Sequence, residues 1–407
     1  MISALPAAEA AVAPLHILAP APHEASFGRL VADVPRGTAR LVVVVNGRRF
    51  ASKLASGRRV SIRLDLPRRD SELRVLAIDA RGRTRASDSV GPVFGLPLAA
   101  LPSLTRGAED RRLRARLAAL LRTFRGTAAV YVRNLATGDG AAANARARFP
   151  AGSTLKLAIA VETLRSLRGP PARGSAVDVL MRSMLIDSDN EAANRLEVIV
   201  GGSTGGGSAR VNATLRALGL LDSEMYGGYA TDEDERQDGE KDGKGPKRRT
   251  AVARPIPIRV ESQPSFPAGK YTSAADLGRL LEDVYLGAAG LGPLVRRFHG
   301  SFTPSEARYL LYLLVHVGDR GKLGRELPGR TVLAHKAGWI STARHDAGLV
   351  FWPGGAFVAA VMTWSSGGVG TPSDVLAGRV AAIALGRARA TGRARPAPPA
   401  GGSSSGR

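Results

Sequence analysis

Ser153 and Lys156 are the first residues in this 407-residue chain whose types and spacing could do chemistry. They stand in Phe149-Pro150-Ala151-Gly152-Ser153-Thr154-Leu155-Lys156-Leu157, where the pattern predicts the start of an apolar helix. Residues three apart on a helix share a face, with Cβ atoms about 5–6 Å apart. A lysine there can take the proton of a serine hydroxyl when burial or a neighbouring cation lowers its pKa. Alone the pair says little, because both residue types are common and Ser153 could be no more than a helix N-cap.

Two later groups could complete the chemistry. Ser188-Asp189-Asn190 falls at a break between two predicted helices. A hydroxyl and an amide two residues apart can face one cleft, Ser188 relaying a proton and Asn190 holding a substrate amide carbonyl. Lys336-Ala337-Gly338 falls on a predicted strand late in the chain. Lys336 offers a cation for a substrate carboxylate, and the small residues beside it let a substrate backbone come close.

The elements that must position these groups follow from periodicity. Residues 1–22 are rich in Ala and Pro and read as a flexible leader. From 23 to 97 short strands alternate with turn signals, among them the β-branched run ending at Val45 and the hairpin pair Asn46-Gly47. About six strands there predict a small β-sandwich that looks like an immunoglobulin-like module. Glu109–Phe124 reads as a helix with Leu113, Leu117, Leu120 and Leu121 inward, followed by strands at Thr127–Asn134 and Ala141–Ala147. Helices are expected over 153–167, 177–185, 191–200 and 209–218, with a Gly-rich break at 201–207. Asp232–Arg249 is acidic first and basic after, which predicts a solvated, disordered insertion over about 230–250. Further helices begin at Thr272 and Ser305, and three strands fall at 332–338, 345–352 and 356–363. A closing helix covers 372–388, and 389–407 reads as a disordered tail. The part from 104 to 388 is therefore α+β, with both of its ends building one sheet.

Composition bounds the partners. The net charge of +23, from 58 Lys+Arg against 35 Asp+Glu, favours anionic partners such as acidic cell-wall polymers. No nucleic-acid motif accompanies it. The absence of Cys excludes disulfides and thiol chemistry, and the scattered His form no metal motif, so no cofactor is expected. No apolar run is long enough for a transmembrane helix. The first residues lack the basic and apolar regions of a signal peptide.

Taken together and in this order, the three groups resemble the set S-x-x-K, S-D-N and K-T-G of class A β-lactamases and penicillin-binding proteins. Ser188-Asp189-Asn190-Glu191-Ala192-Ala193-Asn194 is similar to the second motif and its following helix. His335-Lys336-Ala337-Gly338-Trp339 and Ala343-Arg344-His345-Asp346-Ala347-Gly348 are similar to the third motif and the next strand. The resemblance covers about 104–388 and leaves out the β-sandwich. It implies a β-lactamase/transpeptidase-like fold, an antiparallel sheet flanked by helices plus an all-helical part. It implies Ser153 as acylated nucleophile, Lys156 as its base or part of the base network, and Ser188 as proton carrier to the leaving nitrogen. It implies Asn190, Lys336, Gly338, Trp339 and Arg344 as substrate contacts, with the oxyanion held by the N–H groups of Ser153 and Trp339.

Two departures stand out. Ala337 replaces the usual Thr, so a hydroxyl that touches the substrate carboxylate is missing, and Ser341, Thr342 or Arg344 is left to compensate. Class A enzymes also carry a Glu that activates the deacylating water, with an Asn four residues on. The corresponding stretch, 255–269, offers only Glu261, followed four residues on by Ser265. The expected function is a serine hydrolase acting on β-lactams. The alternative is a D,D-peptidase or related peptidoglycan enzyme that deacylates β-lactams slowly, and a non-catalytic cell-wall binder is a third. Substrates of that class, β-lactam or peptidoglycan stem peptide, imply an exported protein despite the missing signal.

Overall fold

The computed structural model describes residues 14–231, 255–260, 262–267 and 269–393. They fall into two compact units, one up to Leu98 and one from Ala99 onward.

The first unit holds eight strands: β1 His16–Ala19, β2 Glu24–Ser26, β3 Arg29–Asp33, β4 Arg40–Val45, β5 Arg48–Leu54, β6 Arg59–Arg63, β7 Asp70–Ile78 and β8 Thr84–Gly95. They form a three-stranded sheet, β1-β3-β6, and a five-stranded sheet, β2-β8-β7-β4-β5. Along β4 every second side chain is buried, as the run of valines requires of a strand with one face inward. Asn46 and Gly47 both take positive φ, 49° and 79°. That is the primed turn whose twist matches the flanking strands, and it closes the β4–β5 hairpin at Val45 and Arg48. Leu30, Ala32 and Ile62 from one sheet meet Leu41, Val43, Leu73 and Val75 from the other in one apolar core. The stretch expected to be a flexible leader contributes β1, because Ile17 joins that core and pairs with Ala32 of β3.

The second unit is α+β. Its sheet takes β9 Thr127–Asn134 and β10 Gly140–Ala143 from one end of the chain, and β13 Val332–Ile340, β14 Ala343–Trp352 and β15 Gly355–Trp364 from the other. All pair antiparallel in the order β10-β9-β15-β14-β13, which leaves β13 at an edge. Between these strands run a two-stranded ladder, β11 Phe149–Pro150 with β12 Tyr271–Thr272, and most of the helices. The helices are α1 Arg111–Leu121, α2 Lys156–Leu167, α3 Ala176–Arg182, α4 Asn190–Gly201, α5 Thr204–Ala217, α6 Ala274–Gly287, α7 Gly292–Arg297, α8 Pro304–Val315 and α9 Thr371–Arg393. Helices α1 and α9 cover one face of the sheet, burying Leu113, Leu117, Val380 and Leu385 against Val130, Val132 and Phe357. Helix α6 packs on the other face, and its Leu277, Leu280, Leu281 and Val284 are buried as their spacing predicts. Ser273, rather than Thr272, caps it by accepting from Asp276 N–H.

Helix α2 is buried on every side from Lys156 to Leu164, its apolar residues joined there by the buried polar side chains of Lys156, Glu162 and Thr163, and it packs against α4, α5 and α8. Its predicted start at Ser153 is a 3₁₀ turn over Gly152–Leu155, and the α-helix begins at Lys156. The Gly-rich break is shorter than expected. Ser203 caps α5 through Gly206 N–H, which draws Thr204–Gly207 into the helix. Strand β10 stops at Ala143, where Asn144 turns with φ 51°. Helix α9 extends to Arg393, past the predicted start of the tail, and Thr391 still bonds back to Arg387 O. The predicted insertion from 232 onward lies outside the described residues. No helix among the described residues is long and apolar enough to cross a membrane.

Candidate active site

Ser153 is brought to the edge of the sheet by two glycines. Gly152 has φ +53°, a left-handed conformation that turns the chain from β11 into the 3₁₀ turn. A Cβ on Gly152 would stand 2.8 Å from Trp339 N, and one on Gly338 would stand 2.7 Å from both Ser153 N and Thr154 N. The turn and β13 therefore cross backbone to backbone, with the N–H of Ser153 and that of Trp339 at the crossing. His345 on β14 locks the approach: its Nε2–H donates to Pro150 O at 2.7 Å, and its Nδ1 accepts from Thr363 N–H. Burial lowers the His345 pKa to about 4, so it is a neutral strut.

Lys156 is fully buried one helical turn from Ser153. Its Nζ donates to Ser188 O at 2.5 Å and to Asn190 Oδ1 at 2.6 Å, and no hydrogen bond joins it to Ser153. Burial lowers its pKa to about 7; the nearby charges of Lys336 and Lys270 push the same way, against Asp189. Lys156 thus follows Ser153 by one turn, with its pKa lowered toward neutrality.

Ser188 follows a π-helical turn over Ser183–Asp187 and takes φ 63°, a conformation that is costly for a side chain with a Cβ. The kink turns the backbone carbonyl of Ser188 to Lys156 and its hydroxyl to Lys336, whose Nζ donates to Ser188 Oγ at 2.8 Å. Lys336 comes from β13, is almost fully buried, and has a pKa lowered to about 8, chiefly by burial. Asp189 caps α4 by accepting from Ala192 N–H at 2.5 Å. That starts the helix at Asn190 and aims the Asn190 amide at the same cleft. The amide is already engaged at both ends, its oxygen by Lys156 and its nitrogen by Ala230 O at 2.7 Å. A substrate carbonyl expected at Asn190 has to compete for that nitrogen.

Three further expected contacts come from β13 and β14. Gly338 serves the crossing described above. Trp339 is 65% exposed near the end of β13, and it is its N–H, not its ring, that stands at the crossing with Gly152. Arg344 lies across from Trp339 in the β13–β14 register, but Asp374 at the start of α9 grips its guanidinium with two bonds, at 2.6 and 2.9 Å. Its charge is largely spent on that carboxylate. Glu261 lies outside the described residues.

Beside Lys156 stands a residue that spacing did not single out. The ring of Tyr229 lies 4.8 Å from Lys156 Nζ and 4.4 Å from Lys270 Nζ. Asn194, one turn along α4 from Asn190, fixes it: Asn194 Nδ2 donates to Tyr229 O at 2.8 Å and Tyr229 N–H donates to Asn194 Oδ1 at 2.6 Å. The glycines at 227 and 228, just before the polar insertion, are the only local hint of an ordered turn there. Lys270 has no motif around it; only the fold brings it to the site.

The family model described as "Beta-lactamase enzyme family" matches residues 112–170 and 169–388. No curated protein matches the chain. Among solved structures, PBP-A is similar at 20% identity and a TM-score of 0.53, covering 71% of this chain and all of PBP-A. A mutant of PBP-A, in an acyl-enzyme complex with penicillin G, is similar at 20% identity and a TM-score of 0.51, over 70% of this chain and 100% of that one. A beta-lactamase from Streptosporangium roseum is similar at 21% identity and a TM-score of 0.50, over 70% of this chain and 100% of its own. At these identities the likeness is one of fold: a sheet flanked by helices with a helical part between its strands.

Proposed function

The chain belongs to the beta-lactamase enzyme family, and on that premise we propose that it is a serine hydrolase that forms an acyl-enzyme on Ser153. The observation that carries this reading is the buried Lys156, its pKa lowered to about 7, one turn from Ser153 and tied through Ser188 to Lys336. Neutral Lys156 takes the Ser153 proton as Oγ attacks the carbonyl carbon of a β-lactam or a stem-peptide amide. The carbonyl oxygen gains negative charge beside the N–H groups of Ser153 and Trp339. As the C–N bond breaks, the Ser188 hydroxyl passes a proton to the leaving nitrogen and takes one from its partner Lys336. One proton is thus gained at Lys156 and one lost at Lys336, and exchange with solvent restores both before the next cycle. The product is an ester on Ser153, with the amine released or, in a β-lactam, still tethered. Hydrolysis of that ester consumes one water and restores the hydroxyl.

One observation favours the slower of the two expected hydrolases. The place beside Lys156 is filled by the Tyr229 ring, and among the described residues no carboxylate hydrogen-bonds Lys156. A phenol whose pKa is raised by burial does not deprotonate water near neutrality. We therefore read the protein as a penicillin-binding-type enzyme that acylates readily and deacylates β-lactams slowly. Stem peptides lie outside the cytoplasmic membrane, so this reading carries export with it. The net charge of +23 suits residence among anionic wall polymers, with the N-terminal β unit as spacer or binding module.

The test is a chromogenic cephalosporin mixed with purified protein. The expected trace is a burst of one product per Ser153 followed by a slow phase, and no burst in Ser153→Ala. Steady fast turnover would favour β-lactam hydrolysis as the main activity. No Ser153 adduct by mass spectrometry with any β-lactam or acyl-peptide would sink both.

A further inference from the structure

Lys270 belongs to none of the three motifs, yet it is built into the site from both ends. Its backbone carbonyl accepts from Ala151 N–H at 2.8 Å, two residues before Ser153. Its Nζ donates to Gly228 O at 2.6 Å and rests against the Tyr229 ring. Asn194 holds the Tyr229 backbone in place with two hydrogen bonds.

Two ammonium groups on one ring are in conflict. Each is attracted to the π face. Nitrogens 4.8 and 4.4 Å from one ring centre are at most about 9 Å apart, close enough to repel strongly where the effective dielectric is nearer about 20 than 80. The proton stays where the anionic company is better. Burial pulls the Lys270 pKa down as well, and Glu197, buried on α4, opposes that shift once its own carboxyl ionises, above about 7. Lys156 has uncharged acceptors in Ser188 O and Asn190, the like charge of Lys336 from β13, and only Asp189 opposing, whose carboxylate caps α4. Both lysines are pulled down by burial, but Lys156 also carries the like charges of Lys336 and Lys270, so of the two it is the one that sheds its proton more readily.

We propose that Lys270 is a positioning residue for this reaction: a fixed second cation, held against the Tyr229 ring, that favours the free amine of Lys156. The proposal rests on Lys156 being the base that activates Ser153. It also explains the Tyr229 ring as a rigid spacer that keeps the two nitrogens near each other without contact.

The experiment measures the rate of covalent labelling by a fluorescent penicillin, from about pH 5 to 9, for the full chain and for Lys270→Met and Lys270→Arg. The expected result is a Met variant whose rising limb moves to higher pH. Its labelling near pH 6.5 falls about three- to tenfold, as a shift of half a unit to one unit demands, and approaches the parent rate near pH 9. Lys270→Arg keeps the parent profile. An unmoved limb, or an equal loss at every pH, would overturn the proposal and leave Lys270 a structural residue. Direct titration of Lys156 by side-chain NMR in the same proteins decides separately. If the parent is never labelled, the acyl-enzyme reading fails, and a Lys156 midpoint unchanged by Lys270→Met then overturns this inference on its own terms.

Discussion

The ammonium of Lys336 donates to the hydroxyl of Ser188 across 2.8 Å, joining the edge strand of the sheet to the turn that opens α4. Ser188 thus touches both lysines, Lys156 through its backbone carbonyl and Lys336 through its hydroxyl. Removing the hydroxyl leaves Lys336 buried without that partner and cuts the proton's route to the leaving nitrogen. Ser188→Ala is expected to slow labelling of Ser153 by about 10²–10⁴, the range of a lost general acid. A loss under tenfold, with the fold intact, would remove Ser188 from the proton path.

The pH dependence of acylation follows from the two lysines. Lys156 must be uncharged, which holds above about 7, and Lys336 must be charged, which holds below about 8. The labelling rate is therefore expected to be a narrow bell with its maximum between those values, its limbs belonging to the coupled pair. A rate rising without a fall to pH 10 would show that the charge of Lys336 is dispensable.

Gly338→Ala tests the crossing of turn and strand. Its Cβ would meet Ser153 N and Thr154 N at 2.7 Å, so the two backbones must part and the N–H groups of Ser153 and Trp339 lose their alignment. Labelling is expected to fall at least tenfold, with a stability loss of about 1–3 kcal/mol from overpacking. Urea unfolding and labelling on one preparation separate the two effects, and unchanged labelling would contradict the crossing.

Arg344 gives a deliberately small expectation. With Asp374 gripping its guanidinium at 2.6 and 2.9 Å, little charge remains for a substrate carboxylate. Arg344→Ala is expected to change the half-saturating β-lactam concentration less than tenfold while lowering the melting temperature, because α9 loses a tether to β14. A large rise in half-saturation with unchanged melting would return Arg344 to substrate binding.

Glu197 couples the site to stability. Burial raises its pKa to about 7, against an ordinary 4.5, with Ser208 and Lys270 pulling the other way. Between those values the folded chain keeps a proton that the unfolded chain has lost, so folding is weakened as pH rises from about 4.5 to about 7. Glu197→Gln escapes that loss. Its stability relative to the parent is expected to improve by about 2–3 kcal/mol between pH 4.5 and 8, measured by urea unfolding at both. No change in the difference would mean Glu197 is charged in the fold throughout.

Much of this protein is determined by local sequence. The Asn46-Gly47 turn, the buried stripe of α6 and the Ser153–Lys156 face follow from preferences that act over a few residues. The three motifs lie on or beside such elements, so Ser153, Lys156, Ser188 and Lys336 stand out as a set without knowledge of their hydrogen bonds. What the tertiary structure decided is their chemical state and their neighbours. The Lys156 pKa is lowered because the side chain is dry and because Lys336, 180 residues away in the chain, is brought near it. Arg344 is quenched by an aspartate on another element, and Tyr229 and Lys270 carry no spacing signal at all. Side-chain periodicity reports which residues share a face. Dielectric, charge partners and what fills a cleft depend on contacts made across the whole chain, and those exist only once it has folded.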